Sequence, residues 1–450
     1  MKHLLNSIAL SVLASAQLAT ARPRIVDMKE FPNPTGKSQS FSTNGALDTR
    51  NPFFQSLGSN GRSCITCHQP DEGWTVTPRK IRQRFEATGG RDPIFRTNDG
   101  TVSPLADVST VKARRQAYKM LLTKGLIRIG IGIPANADFE LAAVDDPYGY
   151  ASSSELSMFR RPLPSTNLRF LTTVMWDGRE SAPNAELQTN LIQQALDATQ
   201  GHAQLAGTLS QSQLNDIVSF EIALTTAQVS DSRAGKLDAD GARGGPILLQ
   251  REPFFVGIND PLGGNPSQAA FNPVAVTLFD VWTNQSEYEA HAAGRAAVAR
   301  GEQLFNSRVF SVTNVGGLND RLSMPVIQAT CTLCHDSPNV GNHSVGLPLD
   351  LGLSDASRRT PDMPLYTLRN KTTGELKETT DPGRALITGK WSDIGKMKGP
   401  ILRAVAARAP YFHNGSAATL SDVVDFYNTR FNINFTRQEK SDLIAFLRSL

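Results

Sequence analysis

Cys64-Ile65-Thr66-Cys67-His68 and Cys331-Thr332-Leu333-Cys334-His335 use all four cysteines of the chain. Cys-x-x-Cys-His is the attachment signature of c-type haem. Two thiols add across the vinyl groups of one porphyrin, and the adjoining histidine is held against the iron as its proximal ligand. Local disulfides or a zinc site would occupy the cysteines but leave the histidine after each pair without a task, twice over. Paired zinc knuckles also stand roughly 15–20 residues apart, whereas most of the chain separates these two motifs. Cys64, Cys67 and His68, and Cys331, Cys334 and His335, are therefore expected to carry two covalently bound haem c groups. His68 and His335 are then iron ligands.

The flanking composition places this chemistry outside the cytoplasm. Lys2 and His3 precede an apolar stretch from Leu4 to Leu18 and a small-x-small site at Ala19-Thr20-Ala21. That is the pattern of a cleaved secretory signal over residues 1–21, too short and too rich in Ser and Ala for an anchor. The rest of the chain has no run of about 18 apolar residues, so the mature protein is expected to be exported to the periplasm and not to span a membrane. The formal charge of +4 loses one unit with Lys2. No basic run suggests a nucleic-acid partner.

Length and pattern suggest two units with a helical bias. With 450 residues, the chain is long enough for two domains. Apolar spacing predicts helices over Lys112 to Leu122, Ala185 to Ala198 and Gln211 to Thr226. The last carries Leu214, Ile217, Val218, Ile222 and Leu224 along one side. Another is expected from Glu287 to Asn306, a further one from Ser421, and a final one capped by Thr436 with Glu439. Residues 22–50 look like an extended lead-in, and residues 227–273, rich in Gly, Pro and Asp, like a long irregular connection. The expected fold is mainly α, with two cytochrome c-like haem domains and long irregular connections. The first covers residues 22–285 and the second 286–450, the last helix being free to pack back on the first.

Four segments resemble the bacterial di-haem cytochrome c peroxidase superfamily, which includes the MauG-like enzymes. They are Ser63 to His68, Met175-Trp176-Asp177-Gly178-Arg179-Glu180, Gly301 to Phe305 leading to His335, and Leu402 to Gly415 with its Ala-Pro-Tyr-Phe-His-Asn-Gly run. The resemblance implies that Trp176 relays electrons between the haems, a role that suits a large, oxidisable indole. It places a distal acid near Asp197, with His202 a second candidate for proton transfer to and from peroxide. No histidine lies between Gln69 and Gly201, so the first iron has no evident capping ligand. Fourteen residues after His413, where the electron-transfer peroxidases carry a methionine, stands Tyr427. By resemblance to the MauG-like branch it ligates the second iron as a phenolate, favouring ferric iron. The family's calcium site is doubtful here, because its asparagine position is occupied by Arg161, and a guanidinium cannot ligate calcium. His291 and His343 match no family role and are expected on the surface or in loops. Trp74, Trp282 and Trp391 are expected in the core or against haem.

The implied activity is reduction of hydrogen peroxide at the first haem, with oxidising equivalents shared by the second through Trp176. Electrons would come from a periplasmic small cytochrome c or copper protein, or from a protein substrate. The competing reading is a non-enzymatic di-haem electron carrier, with both irons six-coordinate.

Overall fold

A computed structural model describes residues 24–25, 27–265, 267–284, 290–344 and 346–450. The expected signal segment and its cleavage site lie outside the described residues, as do positions 287–289 of the expected Glu287 helix. Helix and strand are mixed: 32% of the described residues are helical and 17% are strand. A mainly helical chain is therefore not what forms. The reason is that short segments without strong alternation find strand partners far away in sequence.

The expected lead-in illustrates this. Gly36–Ser42 pairs antiparallel with Glu30–Asn33 on one side and Leu224–Asp231 on the other, and Gly235–Lys236 closes the four-stranded sheet. The strand Leu224–Asp231 begins where the helix Gln211–Ala223 ends, so the helix expected through Thr226 stops early. Leu224 to Thr226 turn extended, and Ser40 and Thr226 join hydroxyls at 2.8 Å inside the sheet. A second sheet places Leu365–Asn370 between Phe139–Asp145 and Leu376–Thr379. Ile127–Ile131 pairs with Leu156–Arg160.

The helices form where apolar spacing and caps place them. Leu187–His202 is helical, and Val111–Ala117 and Lys119–Lys124 divide the expected Lys112 helix at Tyr118. Thr436 caps Arg437–Arg448 through Glu439, and Thr419, two residues ahead of expectation, caps Leu420–Arg430 through Asp422. The final helix lies against Ala292–Ser307. Gly301 permits the close approach, because a Cβ there would collide with the carbonyl of Asp442. Beyond that helix the Leu450 carbonyl accepts from the amides of Gln228 (3.0 Å) and Ala404 (2.7 Å), and Arg448 pairs with Asp231 at 2.6 Å.

Each Cys-x-x-Cys-His motif sits against its own apolar cluster. Cys64 packs on a core containing Phe53, Trp74, Phe170 and Phe220. Cys331 and Cys334 pack on one containing Phe279, Trp282, Phe305 and Phe446. Fully burying each such aromatic contributes about 1.5–3 kcal/mol, so both motifs rest on stiff ground. Trp74 and Trp282 are fully buried, and Trp391 is half-buried against a third cluster.

Candidate haem centre

At the first motif a 3-10 turn, Cys64–Thr66, places both thiols and the imidazole on one side. The Thr66 hydroxyl accepts from the Ser63 amide at 3.0 Å, and the His68 amide donates to the Cys64 carbonyl at 3.0 Å. The chain then folds back: the Trp74 amide reaches the Gln69 carbonyl at 2.8 Å and the indole N–H reaches Ser40 Oγ at 2.8 Å. Trp74 adopts φ of 61°, a left-handed conformation of the sort that costs about 1–3 kcal/mol and persists where surroundings enforce it. Its carbonyl thereby accepts a hydrogen bond from His68 Nδ1–H at 3.0 Å. That bond leaves Nε2 as the lone-pair nitrogen facing the cavity, as a proximal ligand requires. Burial lowers the His68 pKa to about 4, so the ring is neutral.

The second motif repeats the turn but not the anchor. Cys331–Leu333 is again 3-10, and the His335 amide donates to the Cys331 carbonyl at 3.1 Å. Thr332, however, reaches outward to the Pro273 carbonyl at 2.8 Å. His335 Nδ1 is buried without a hydrogen-bond partner, and burial lowers the ring's pKa to about 3. No disulfide joins either cysteine pair. Burial raises Cys64, Cys331 and Cys334 to about 12.

Both motifs open onto one continuous cavity, with about 3330 Å³ of atom-free space including its mouth. Leucine, isoleucine and valine dominate its walls. Three buried cations line it without an ion-pair partner among the described residues: Arg161, Lys398 and Arg408. They are bonded only to backbone carbonyls, Arg161 to Arg408 at 3.2 Å and Lys398 to Gly399 at 2.9 Å. Burial lowers Lys398 to about 7 and the two arginines to about 10. Uncompensated buried cations are costly, and carboxylates carried by an apolar ligand would relieve them. Apolar walls, paired thiols, neutral imidazoles and unpaired cations together match what two covalently held porphyrins with propionate groups require. Among the described residues no three His, Cys, Asp or Glu side chains converge as a metal site of their own.

The helix Leu187–His202 turns one face to this cavity. Leu191, Gln194, Ala195, Ala198, Thr199 and His202 line it, following the 3.6-residue period. Asp197 lies off that face. It accepts from Gln193 at 2.8 Å and faces Glu180, which burial and then Asp197 push up to about 7. His202 Nδ1 is 2.5 Å from Asp99 Oδ2, and Asp99 Oδ1 takes a hydrogen bond from Arg62 at 2.5 Å. Burial works to raise Asp99, but Arg62 and His202 hold it below the usual carboxylate range.

Trp176 lines the same cavity and is clamped from both sides. Its indole N–H donates to the Arg161 carbonyl at 2.8 Å, and its own carbonyl accepts from the Lys398 amide at 2.7 Å. Beside it, buried Asp177 pairs with Arg160 at 2.5 Å, and Arg160 holds Asp381 through two bonds of 2.7 and 2.8 Å. The Trp176 ring meets His413 edge-on at 6.2 Å, and neighbouring Phe412 meets Tyr427 at 6.4 Å. Tyr427 is half-buried in the cavity wall near Cys331 and Cys334, and desolvation raises its phenol.

Other positions differ from expectation. His343 lies in a loop, as expected, but is buried and lines the cavity because the loop after the second motif folds inward; His291 is exposed as expected. Glu221 was legible but passed over: it continues the spacing Leu214, Ile217, Val218 and so sits on the apolar face of its helix. Asp99, Lys398 and Arg408 carried no local signal. Their partners come from distant segments.

No family model matches the chain. Cytochrome-c peroxidase IdrP1 of Pseudomonas sp. (strain SCT) is 32% identical over 143 residues, 27% of this chain and 37% of that protein. Over about a quarter of its length the chain is similar to bacterial cytochrome c peroxidases. Cytochrome c551 peroxidase of Nitrosomonas europaea is 29% identical over 121 residues, 27% of this chain and 30% of that protein. The chain thus spans between about a third and a half of the length of the curated relatives it matches. A crystal structure of a MauG-like protein associated with microbial copper homeostasis superposes with a TM-score of 0.41 at 16% identity, covering 94% of each chain. No helix of the described residues is long and apolar enough to cross a membrane.

Proposed function

We propose that this protein is a periplasmic di-haem c-type oxidoreductase of the peroxidase kind, acting on hydrogen peroxide. The observation that carries the reading is the single cavity shared by both Cys-x-x-Cys-His motifs and Trp176. Haem c, once attached, supplies the iron that takes up the oxidising equivalents of peroxide. The chain's own residues do the rest. His68, its tautomer set by the Trp74 carbonyl, ligates the first iron, and His335 with the Tyr427 phenolate the second. Arg161, Lys398 and Arg408 receive the propionates. Arg161 supplies positive charge beside the Arg408 carbonyl, where the related enzymes would place calcium.

Proton handling falls to His202. With Nδ1 engaged by Asp99, its Nε2 is the nitrogen free to take a proton from the near oxygen of peroxide and return it to the departing one. Asp197, off the cavity face, acts at second hand through Glu180. Trp176, held at both ends, carries oxidising equivalents toward the second site. Two units, residues 22–285 and 286–450, each hold one haem, after removal of residues 1–21. The electron source is a small periplasmic cytochrome or copper protein, or a protein substrate.

The test is an electron paramagnetic resonance spectrum of the ferric holoprotein, repeated after Tyr427→Met and after addition of hydrogen peroxide. One high-spin signal that peroxide removes, and one low-spin signal that moves with the substitution, are expected. Two low-spin signals that neither treatment changes would return the protein to the class of electron carriers.

A further inference from the structure

Glu221 is the one carboxyl in the first haem pocket with no assigned work. It lies on the buried side of Gln211–Ala223, is 6% exposed, and lines the cavity beside Cys64. Its Oε2 has no hydrogen-bond partner. Burying a polar atom unpaired is costly, and burying a charge unpaired far more so. A carboxyl in such a place stays neutral unless something nearby repays its ionisation.

We propose that Glu221 is the proton-exchanging group of the first cofactor site, binding a proton when the haem held at Cys64 and Cys67 gains an electron and releasing it when that electron leaves. The inference rests on the proposed function, since it requires haem at that motif. The balance is one electron from a one-electron donor and one proton from solvent on reduction, both returned on oxidation. The net charge of the pocket therefore stays constant, which matters where apolar walls leave charge unscreened. Ferric iron stabilises the ionised carboxylate, and ferrous iron stabilises the neutral acid.

The surroundings favour this group over its neighbours. Burial alone shifts Glu221, to about 8, and no charged side chain among the described residues contributes to that shift. From the facing motif, Cys64 registers its charge, and that thiol becomes a thioether on haem attachment. Across the pocket, Asp99 is already committed to Arg62 and His202. The remaining neighbours on its own helix face, Leu214, Ile217 and Val218, carry no charge.

The experiment is a spectroelectrochemical titration of both haems in the holoprotein, from mildly acidic to alkaline pH. The first haem's reduction equilibrium should fall tenfold per pH unit across a window around 8, which is about 59 mV per unit for one electron. It should level off on either side. Glu221→Gln should flatten the slope and hold the potential at its acid-side value, while the second haem responds alike in both proteins. A flat wild-type profile, or a slope that survives the substitution, overturns the proposal. Should Glu221→Gln fail to fold, infrared difference spectra of the wild type decide. A protonated-carboxyl C=O band gained on reduction supports the proposal, and its absence refutes it. Haem content, read by mass, separates these outcomes from a failure to attach haem at Cys64 and Cys67.

Discussion

The two Cys-x-x-Cys-His motifs are almost superposable as text and are set in opposite surroundings. The first pocket is rich in proton-bearing groups: Arg62, Asp99, His202 and Glu221 all line it. The second is walled largely by Phe305, Phe310, Val312, Tyr427 and Phe431, with the Tyr427 hydroxyl and the His343 imidazole as polar groups. His68 hands its Nδ1 proton toward the Trp74 carbonyl, whereas His335 keeps Nδ1 unpartnered. An imidazole whose N–H is engaged is the more basic ligand. On the proposed reading, the first pocket moves protons with electrons and the second moves electrons.

The harshest way to break this comparison is to remove one motif at a time. Cys64→Ala with Cys67→Ala should cost one haem by mass and abolish reaction with peroxide. Cys331→Ala with Cys334→Ala should also cost one haem but leave peroxide binding at the first site. If either pair removes both haems, the pockets are not independent. Next in size is Asp177→Asn, in the cluster beside Trp176. Breaking a buried ion pair costs about 3–5 kcal/mol, read as a lowered denaturation midpoint, and both haem spectra should change together. Burial works to raise the Asp177 pKa, but Arg160 and then Arg179 hold it down at about 2. Its stabilising effect is therefore complete above about pH 4, the unfolded value, and is lost as pH falls toward 2.

A subtler probe addresses the histidines. In the reduced Tyr427→Phe protein, where neither iron keeps a second side-chain ligand, resonance Raman spectra should show a higher iron–histidine stretching frequency for the site that contains His68. Equal frequencies would erase the contrast. The smallest expected effect compares Thr66→Val with Thr332→Val. Each removes a hydroxyl with two hydrogen bonds, each worth about 1 kcal/mol; both of the first go to Ser63 inside the turn, while the second also frees Pro273. Hydrogen exchange should rise around residue 273 only in the second.

How much of this was legible depended on the range of the interaction concerned. The two Cys-x-x-Cys-His motifs and the capped helices at Thr436 and near Ser421 follow from local spacing and were readable directly. The sheets were not, because Gly36–Ser42 finds its partner in Leu224–Asp231, across most of the first half of the chain. Asp197 shows the same limit at shorter reach. Proximity to the family's acid position suggested it, yet the helical period turns it toward Glu180 and turns His202 toward the cavity. Arg161 could be named as a misfit for calcium, but its bond to the Arg408 carbonyl depends on two segments meeting in space.

The sequence by itself determined that two Cys-x-x-Cys-His motifs are present, since two thiols and a histidine at fixed short spacing are a local pattern. Tertiary structure decided what each motif faces. Burial, a carbonyl delivered by a folded-back loop, and carboxyls approaching from remote helices set proton affinity and ligand basicity. Those quantities depend on distance and dielectric, which no stretch of residues carries alone.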